Sequence, residues 1–432
     1  MKNKYLLLLL LIGPYSVKAQ NLDLESCLKM ADTANLTIRN ARLEIEMNEK
    51  QIKAYKSAIT PKVTFIGDYK YNAIIPGQVV PAAFFGGTPG TYSTVQFGVP
   101  YNLSNTIQLT QVIYNPQVNY ALQALALNKK IVEIQEKLTV QDIKQQVSST
   151  YFNLQAMSKQ IAFLTENIAN MDKLIANMEA MLRAELIVET EVDKLKINRL
   201  NILNSKQTLT ATKDQLETLL KILIGMDSSK TITLVSDEMI QNSILVDKET
   251  ISHPELEIID AQLQMNTEER KGTNLAYLPS LSFYAAYNYA YNMKPEDDFR
   301  TGIESAFLGL RLDWTLFDGL EKYNKQKVNA ISREKIANQK DLVAQQLQLA
   351  TDNAQKQIGI QLNSLSISKE QLFLSQKVYK QTEAQFKEGI IGSNDMITAE
   401  NSLQQAQTNV VSAYIQLRQA ELAYLKSIGN IK

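Results

Sequence analysis

The sequence predicts a mostly α-helical fold with a membrane β-barrel, laid down twice in the order helix, strand, strand, long helical hairpin. Three observations predict it. Glycine and proline are absent from Gln117 to Ile224, and proline is absent from Phe317 to Gly429. Each of these runs is preceded by two segments that alternate apolar and polar residues. The order of the elements then recurs in the second half, and a recurring order fixes an architecture before any single element does.

The helical runs carry seams. Met396, Leu403, Val410, Leu417 and Tyr424 fall seven apart, with Ala399, Ala406, Ala413 and Ala420 between them. The resulting 3-4 spacing marks a helix packed along its length, and the alanines allow close approach of a partner. Leu365, Leu372, Tyr379 and Phe386 supply the partner's seam. Lys387 to Asp395 is the turn, with glycines to end one helix and Ser393 or Asn394 to cap the next. In the first half, Leu154, Met157, Ile161, Leu164, Ile168, Met171, Ile175, Met178 and Leu182 keep the same spacing. The register breaks over Ala184 to Thr190 and resumes at Leu195, Ile202, Leu209, Leu216 and Leu223, with Asn198, Ser205 and Thr212 between. A helix from 117 to 182 would be on the order of 100 Å long, more than a globular core requires.

Taken in order, residues 1–20 read as a signal peptide. Lys2 and Lys4 precede the apolar run Leu6 to Ile12, and Val17-Lys18-Ala19 offers small residues for cleavage after Ala19 or Gln20. Its removal leaves 42 basic against 45 acidic residues, a net charge of −3. No later stretch is apolar enough for a spanning helix, so the exported chain would enter a membrane only as strands. The lone Cys27 cannot form an internal disulfide and reads as a small buried residue near a helix start. The first repeat, 21–225, opens with a helix over 22–59, ended by Pro61. Strands follow at about 62–72 and 103–113, separated by a loop rich in proline and glycine, and the hairpin runs over about 117–225. Residues 226–252 form a connector. The second repeat, 253–432, starts with Ser252 or His253 at a helix cap and Pro254 in the first turn. Its strands lie at about 280–292 and 304–315 and its hairpin at about 318–428. Pro61 answers Pro279, Tyr114-Asn115 answers Phe317-Asp318, and Glu185 answers Glu388.

Four strands of this length suit a tilted membrane span, and Tyr69, Tyr71, Tyr289, Tyr291 and Trp314 suit its interfaces. Four strands cannot close a barrel, because about eight are needed merely to enclose side chains. Eight from two chains would leave little room inside, and twelve from three would leave a pore. The helices pose the same question. Their polar remainder, as in Gln345, Gln346, Gln348, Asn353, Gln355 and Gln357, suits helices standing around a water-filled tube or an ordinary coiled-coil bundle in the periplasm.

Composition narrows the function classes. Basic and acidic residues balance at 45 each, which gives no basic surface for nucleic acid. One histidine and one cysteine exclude a metal site built from several of either. His253, beside Pro254, reads as structural, and no phosphate-cradling glycine loop is present. The expectation is no catalytic residue, no cofactor and no bound metal.

In the order of its parts the chain resembles the TolC-like outer membrane efflux proteins. The likeness covers essentially all of the mature chain. It rests on Pro279-Ser280-Leu281, on Trp314-Thr315-Leu316-Phe317-Asp318-Gly319, and on Phe386-Lys387-Glu388-Gly389 followed by Ser393-Asn394-Asp395-Met396. The resemblance implies a homotrimer with a 12-stranded β-barrel in outer-membrane lipid, continued by a 12-helix α-barrel through the periplasm. It implies a passive conduit that docks onto a periplasmic adaptor held by an inner-membrane pump. A periplasmic coiled-coil adaptor or structural protein is the alternative, although an adaptor would carry one central hairpin rather than two.

The resemblance also implies an entrance at the hairpin tips. Asp395 matches an aspartate that lines it, and Thr398 stands where a second aspartate is usual. Phe386 and Ile391 stand where a tyrosine and an arginine lock the closed state, and Glu191 matches an acid on the other hairpin. The adaptor-docking tips are expected at Glu185, Leu186, Ile187 and Val188 and at Gly389, Ile390, Gly392 and Ser393. Exposed apolar residues at such turns suit a bound partner.

Overall fold

The computed structural model describes residues 20–234 and 253–431. The expected signal peptide up to Ala19, the second part of the 226–252 connector and the cap candidate Ser252 lie outside these residues. In chain order the elements are β1 (Gln20–Leu22), α1 (Leu24–Ala34), α2 (Leu36–Lys56), β2 (Lys62–Tyr71), β3 (Gly77–Pro81), β4 (Tyr92–Gln96), β5 (Tyr101–Tyr114), α3 (Pro116–Arg183), α4 (Glu189–Leu223) and β6 (Ile232–Leu234). They continue with α5 (Pro254–Leu275), β7 (Ser280–Lys294), β8 (Phe299–Asp313), α6 (Glu321–Lys387) and α7 (Ser393–Ser427). No helix among the described residues is long and apolar enough to cross a membrane. The chain divides into two compact units: Met1–Glu44, Val132–Ile258 and Gln339–Lys432 form one, and Ile45–Ile131 and Ile259–Asn338 form the other.

The first unit is helical, and its core is the set of seams. Met396, Leu403, Val410 and Leu417 are buried, as are Ala399, Ala406, Ala413 and Ala420. Facing them are Leu365, Tyr379 and Phe386 of α6 and Leu154, Leu164, Met171, Ile175 and Met178 of α3. Leu195, Ile202 and Leu223 of α4 complete the core. Polar pairs tie α3 to α7 within it: Asn167 and Gln407, both buried, exchange amide hydrogen bonds at 2.8 and 3.3 Å. Such pairs fix register, since sliding one helix would strand buried amides.

Two expectations for this unit need correction. The helix over 22–59 is two helices, broken at Asn35 (φ −67°, ψ 127°). The Asn35 amide donates to the Leu223 carbonyl at 2.8 Å, and its side-chain oxygen accepts from the N–H groups of Thr37 and Ile38. Asn35 therefore caps α2 while holding α4, a gain that outweighs one continuous helical turn. The chain before α1 also pairs: β1 runs parallel to β6, Gln20 opposite Ile232 and Leu22 opposite Leu234. Cys27 is buried as expected, and burial pushes its thiol up to about 11.

The second unit holds a four-stranded antiparallel sheet in the order β2-β5-β7-β8, open at both edges. The register aligns the alternation of every strand. Val63, Phe65, Tyr69 and Tyr71 of β2 stand opposite Leu109, Ile107, Leu103 and Tyr101 of β5. These in turn face Ala285, Tyr287, Tyr291 and Met293 of β7, and Leu281, Phe283 and Ala285 face Leu312, Leu310 and Leu308 of β8. Because side chains alternate across a strand, all of these share one face. It is interrupted by the row Gly67, Asn105, Tyr289 and Glu304, and by Arg300 at its end. The other face is mostly polar, with Ile66, Ile303 and Phe307 on it, and there Asn288 donates to the hydroxyls of Ser104 and Thr106 at 2.7 Å each.

Beside the sheet, α2 meets α3 and α5 meets α6 through asparagines, of which Asn48, Asn266 and Asn329 are buried. Asn128 donates to Asn48 at 2.7 Å, and Asn266 and Asn329 each donate to the other's backbone carbonyl at 3.2 and 3.1 Å. The loop between β2 and β5, expected to be irregular, contains the β3–β4 hairpin.

Candidate functional site

The tips of the two helical hairpins lie in the helical unit, at the turns after α3 and after α6. Both helices end in the same way. Leu186 N–H donates to the Met181 carbonyl at 3.0 Å and Glu185 N–H to Leu182 at 2.9 Å. At α6, Ile390 N–H donates to Gln385 at 3.0 Å and Gly389 N–H to Phe386 at 3.1 Å. These are Schellman caps, in which one residue turns left-handed to satisfy the last carbonyls. That residue is Gly389 (φ 72°) at α6 and Glu185 (φ 58°) at α3. Glu185 thus answers Gly389, not Glu388. A left-handed side chain costs energy that glycine avoids, so Glu185→Gly is expected to raise stability by about 0.5–1 kcal/mol, read by thermal melting.

The return helices start differently from expectation. Gly392 and Val188 hold the cap positions, and neither makes a side-chain cap bond. Ser393 is the first residue of α7, 1% exposed, and the cap comes from the other hairpin. The Glu191 carboxylate accepts from the Ser393 hydroxyl and, at 3.4 Å, from the Ser393 N–H. Its other oxygen takes Lys194 Nζ at 2.8 Å. A carboxylate at a helix N-terminus is favoured by the exposed N–H groups there. Lys194, then Ser393, hold the Glu191 carboxyl below the usual carboxylate range. Glu191 is therefore a clasp between the tips, and Ser393, being buried, has no side chain to offer a partner.

The other expected residues divide by exposure. Phe386 is buried at 5%, and Ile187 and Ile391 pack against the same apolar cluster as Met396 and Val192. Hence Phe386 is buried in the tip core and Ile391 packs half-buried against it. Leu186, Val188 and Ile390 stay 70%, 63% and 71% exposed, and Glu185, Gly389 and Gly392 are exposed beside them. Asp395 and Thr398, one turn apart on α7, are also exposed. Beyond them the outer face of α7 is neutral: Asn401, Ser402, Gln405, Thr408, Ser412, Gln416 and Gln419 are exposed. Between Asp395 and Lys426 the charged residues of the helix, Glu400, Arg418 and Glu421, are buried.

Glu400 escapes sequence reasoning altogether, because its place in the helical repeat looks like any surface acid. It is 1% exposed in the tip core, and no well-formed hydrogen bond reaches either carboxylate oxygen. Burial pushes its carboxyl up to about 7, an effect that the facing Tyr379 hydroxyl offsets in part. Glu383 and Glu166 stand near enough to act on Tyr379 as well. No group of three or more His, Cys, Asp or Glu among the described residues is placed to hold a metal ion.

No protein-family model and no curated protein matches the chain. Solved structures do. The CmeC outer membrane channel of Campylobacter jejuni aligns at TM-score 0.73 and 13% identity, over 94% of this chain and 85% of that one. The VceC outer membrane protein of Vibrio cholerae aligns at 0.69 and 11%, over 94% and 96%. The MtrE outer membrane channel of Neisseria gonorrhoeae, in its open state, aligns at 0.69 and 12%, over 94% and 89%. The chain has the TolC-like outer membrane channel fold. Within that fold the exposed residues Leu186, Val188 and Ile390 lie at the turns that join the helices of each hairpin, and Asp395 lies in the first turn of α7.

Proposed function

We propose that this chain is one of three identical subunits of an outer-membrane channel. The carrying observation is the sheet, whose register gathers one apolar and one polar face across four strands and leaves the outer edges of β2 and β8 unpaired. An apolar-outside, polar-inside sheet suits a membrane barrel. In lipid each unpaired backbone group costs several kcal/mol, so the edges demand strands from other copies, and three copies supply twelve. The helical unit supports the same reading. Leu342, Leu349, Ile360, Ile367, Leu374 and Val378 of α6 are about half exposed or more. Their recurrence every eighteen residues (342 and 360, 349 and 367, 360 and 378) keeps them on one helix face. Such a stripe suits a neighbouring copy.

Assembled in this way, the α-helices continue the barrel as a tube of twelve through the periplasm. The channel carries out no chemistry and passes what an inner-membrane pump delivers through a periplasmic adaptor. Leu186, Val188 and Ile390 would meet that adaptor. Three copies of Asp395 would ring the periplasmic mouth, drawing cations by a focused field. The two halves read as an internal repeat. Asn48 precedes Pro61 by as many residues as Asn266 precedes Pro279, and both asparagines sit buried at a helix pair.

The test has two parts. The solubilised protein should fractionate with the outer membrane and have three times the chain's mass in detergent; a folded, water-soluble monomer would instead fit a periplasmic coiled-coil protein. In planar bilayers, Asp395→Ala should reduce cation selectivity and block by multivalent cations, and unchanged values would remove Asp395 from the mouth.

A further inference from the structure

Asn72 to Pro100, the connection from β2 to β5, is twenty-nine residues without one Asp, Glu, Lys, Arg or His, in a chain that is 21% charged. The β7–β8 connection stands at the same end of the sheet, since Tyr71, Tyr101, Met293 and Arg300 share one row. That connection carries Glu296, Asp297 and Asp298. The uncharged one folds into the β3–β4 hairpin, paired from Gly77 opposite Gln96 to Pro81 opposite Tyr92. Val79, Phe84, Phe85 and Tyr92 of this hairpin are 69%, 80%, 62% and 72% exposed. Four large apolar side chains clustered on one short hairpin mark a contact surface.

We propose that the occupant of this surface is the same hairpin of a second copy, and that the copies meet on the channel axis and close its outer mouth. The proposal rests on the trimeric reading above. Contact about a rotation axis brings each residue close to its own image, so any charge meets its like, at a cost of several kcal/mol. A loop without charges meets that demand, and the acidic β7–β8 connection does not. Lipid is the competing occupant. A two-stranded hairpin has two open edges, and burying them in hydrocarbon would leave their N–H and C=O groups unpaired. With no lysine or arginine the hairpin also has no cation to pair with phosphate headgroups. An apolar constriction stops ion flow by excluding water even where its bore exceeds an ion.

The test uses the full-length protein in native membranes, with Cys27→Ala removing the only cysteine. After mild oxidation, Phe84→Cys should give covalent dimers of the chain. In bilayers, Val79→Asp should raise single-channel conductance by about twofold or more, because carboxylates repel and wet the constriction. Trimers of unchanged mass with no cross-link and unchanged conductance would overturn the loop contact and leave the trimeric channel standing. Quenching of a fluorophore on the Phe84→Cys thiol by lipid-borne quenchers would overturn it in favour of the membrane. A monomeric particle, seen by mass before oxidation, would overturn both.

Discussion

Glu421→Ala is expected to cost about 3–5 kcal/mol of folding stability, seen as a lower melting temperature by circular dichroism at fixed protein and detergent concentration. Glu421 Oε2 accepts from Arg418 Nη1 at 2.8 Å, and the side chains are 2% and 10% exposed. The Arg418 guanidinium lies over the rings of Phe152 and Tyr414, at 5.3 and 5.2 Å. Arg418 Nε has no partner already. Without Glu421, an ion that cannot shed its proton stays enclosed with two aromatic faces for company, which replace only part of a carboxylate. The pair itself is a weak net stabiliser, because desolvating both charges costs nearly what their attraction returns. The double variant Arg418→Met with Glu421→Leu should therefore recover most of the loss. A double variant as unstable as Glu421→Ala would show that the arginine holds α3 to α7 through packing alone.

Glu400→Gln is expected to stabilise the protein above neutral pH by about 3 kcal/mol and to change nothing near pH 4. The sign follows from the two protonation states. In the unfolded chain the carboxyl titrates near its ordinary value of 4.5, and in the folded chain burial raises it to about 7. Below 4.5 both states hold the proton, and Glu400 contributes no pH dependence. Between the two values the unfolded chain releases the proton while the folded chain keeps it, so stability falls as pH rises. Above the folded value the loss is complete. Glutamine keeps the shape without the charge. Glu191 works in the opposite direction: its lowered carboxyl favours folding above its unfolded value and loses that as pH falls. The informative quantity is thus the melting-temperature difference between Glu400→Gln and the parent across pH. Parallel curves would mean that Glu400 keeps its charge in the folded tip.

The helix seams, the strand positions and the hairpin tips were all legible in the residues themselves. Their signals are local: a residue every three or four positions, an alternation over ten residues, a glycine where two helices turn. The buried alanines of α7 and the four membrane-length strands follow from such periods alone. The exposed apolar residues read at the tips stand so at Leu186, Val188 and Ile390, whereas Ile187 and Ile391, read the same way, pack against the tip core.

Only the tertiary structure decided what depends on distant partners. Asn35 breaks a helix because Leu223, 188 residues away, offers its carbonyl. Ser393, a fair cap candidate by its neighbours, is instead capped by Glu191 across 202 residues. Glu400 and Glu421 sit in a helix whose pattern would place any acid on the surface, and the packing of α3 and α6 encloses them. The shared apolar face is likewise a matter of register between strands far apart in the chain. Period tells each segment which residues share a side; which neighbour that side meets depends on contacts that no local pattern encodes.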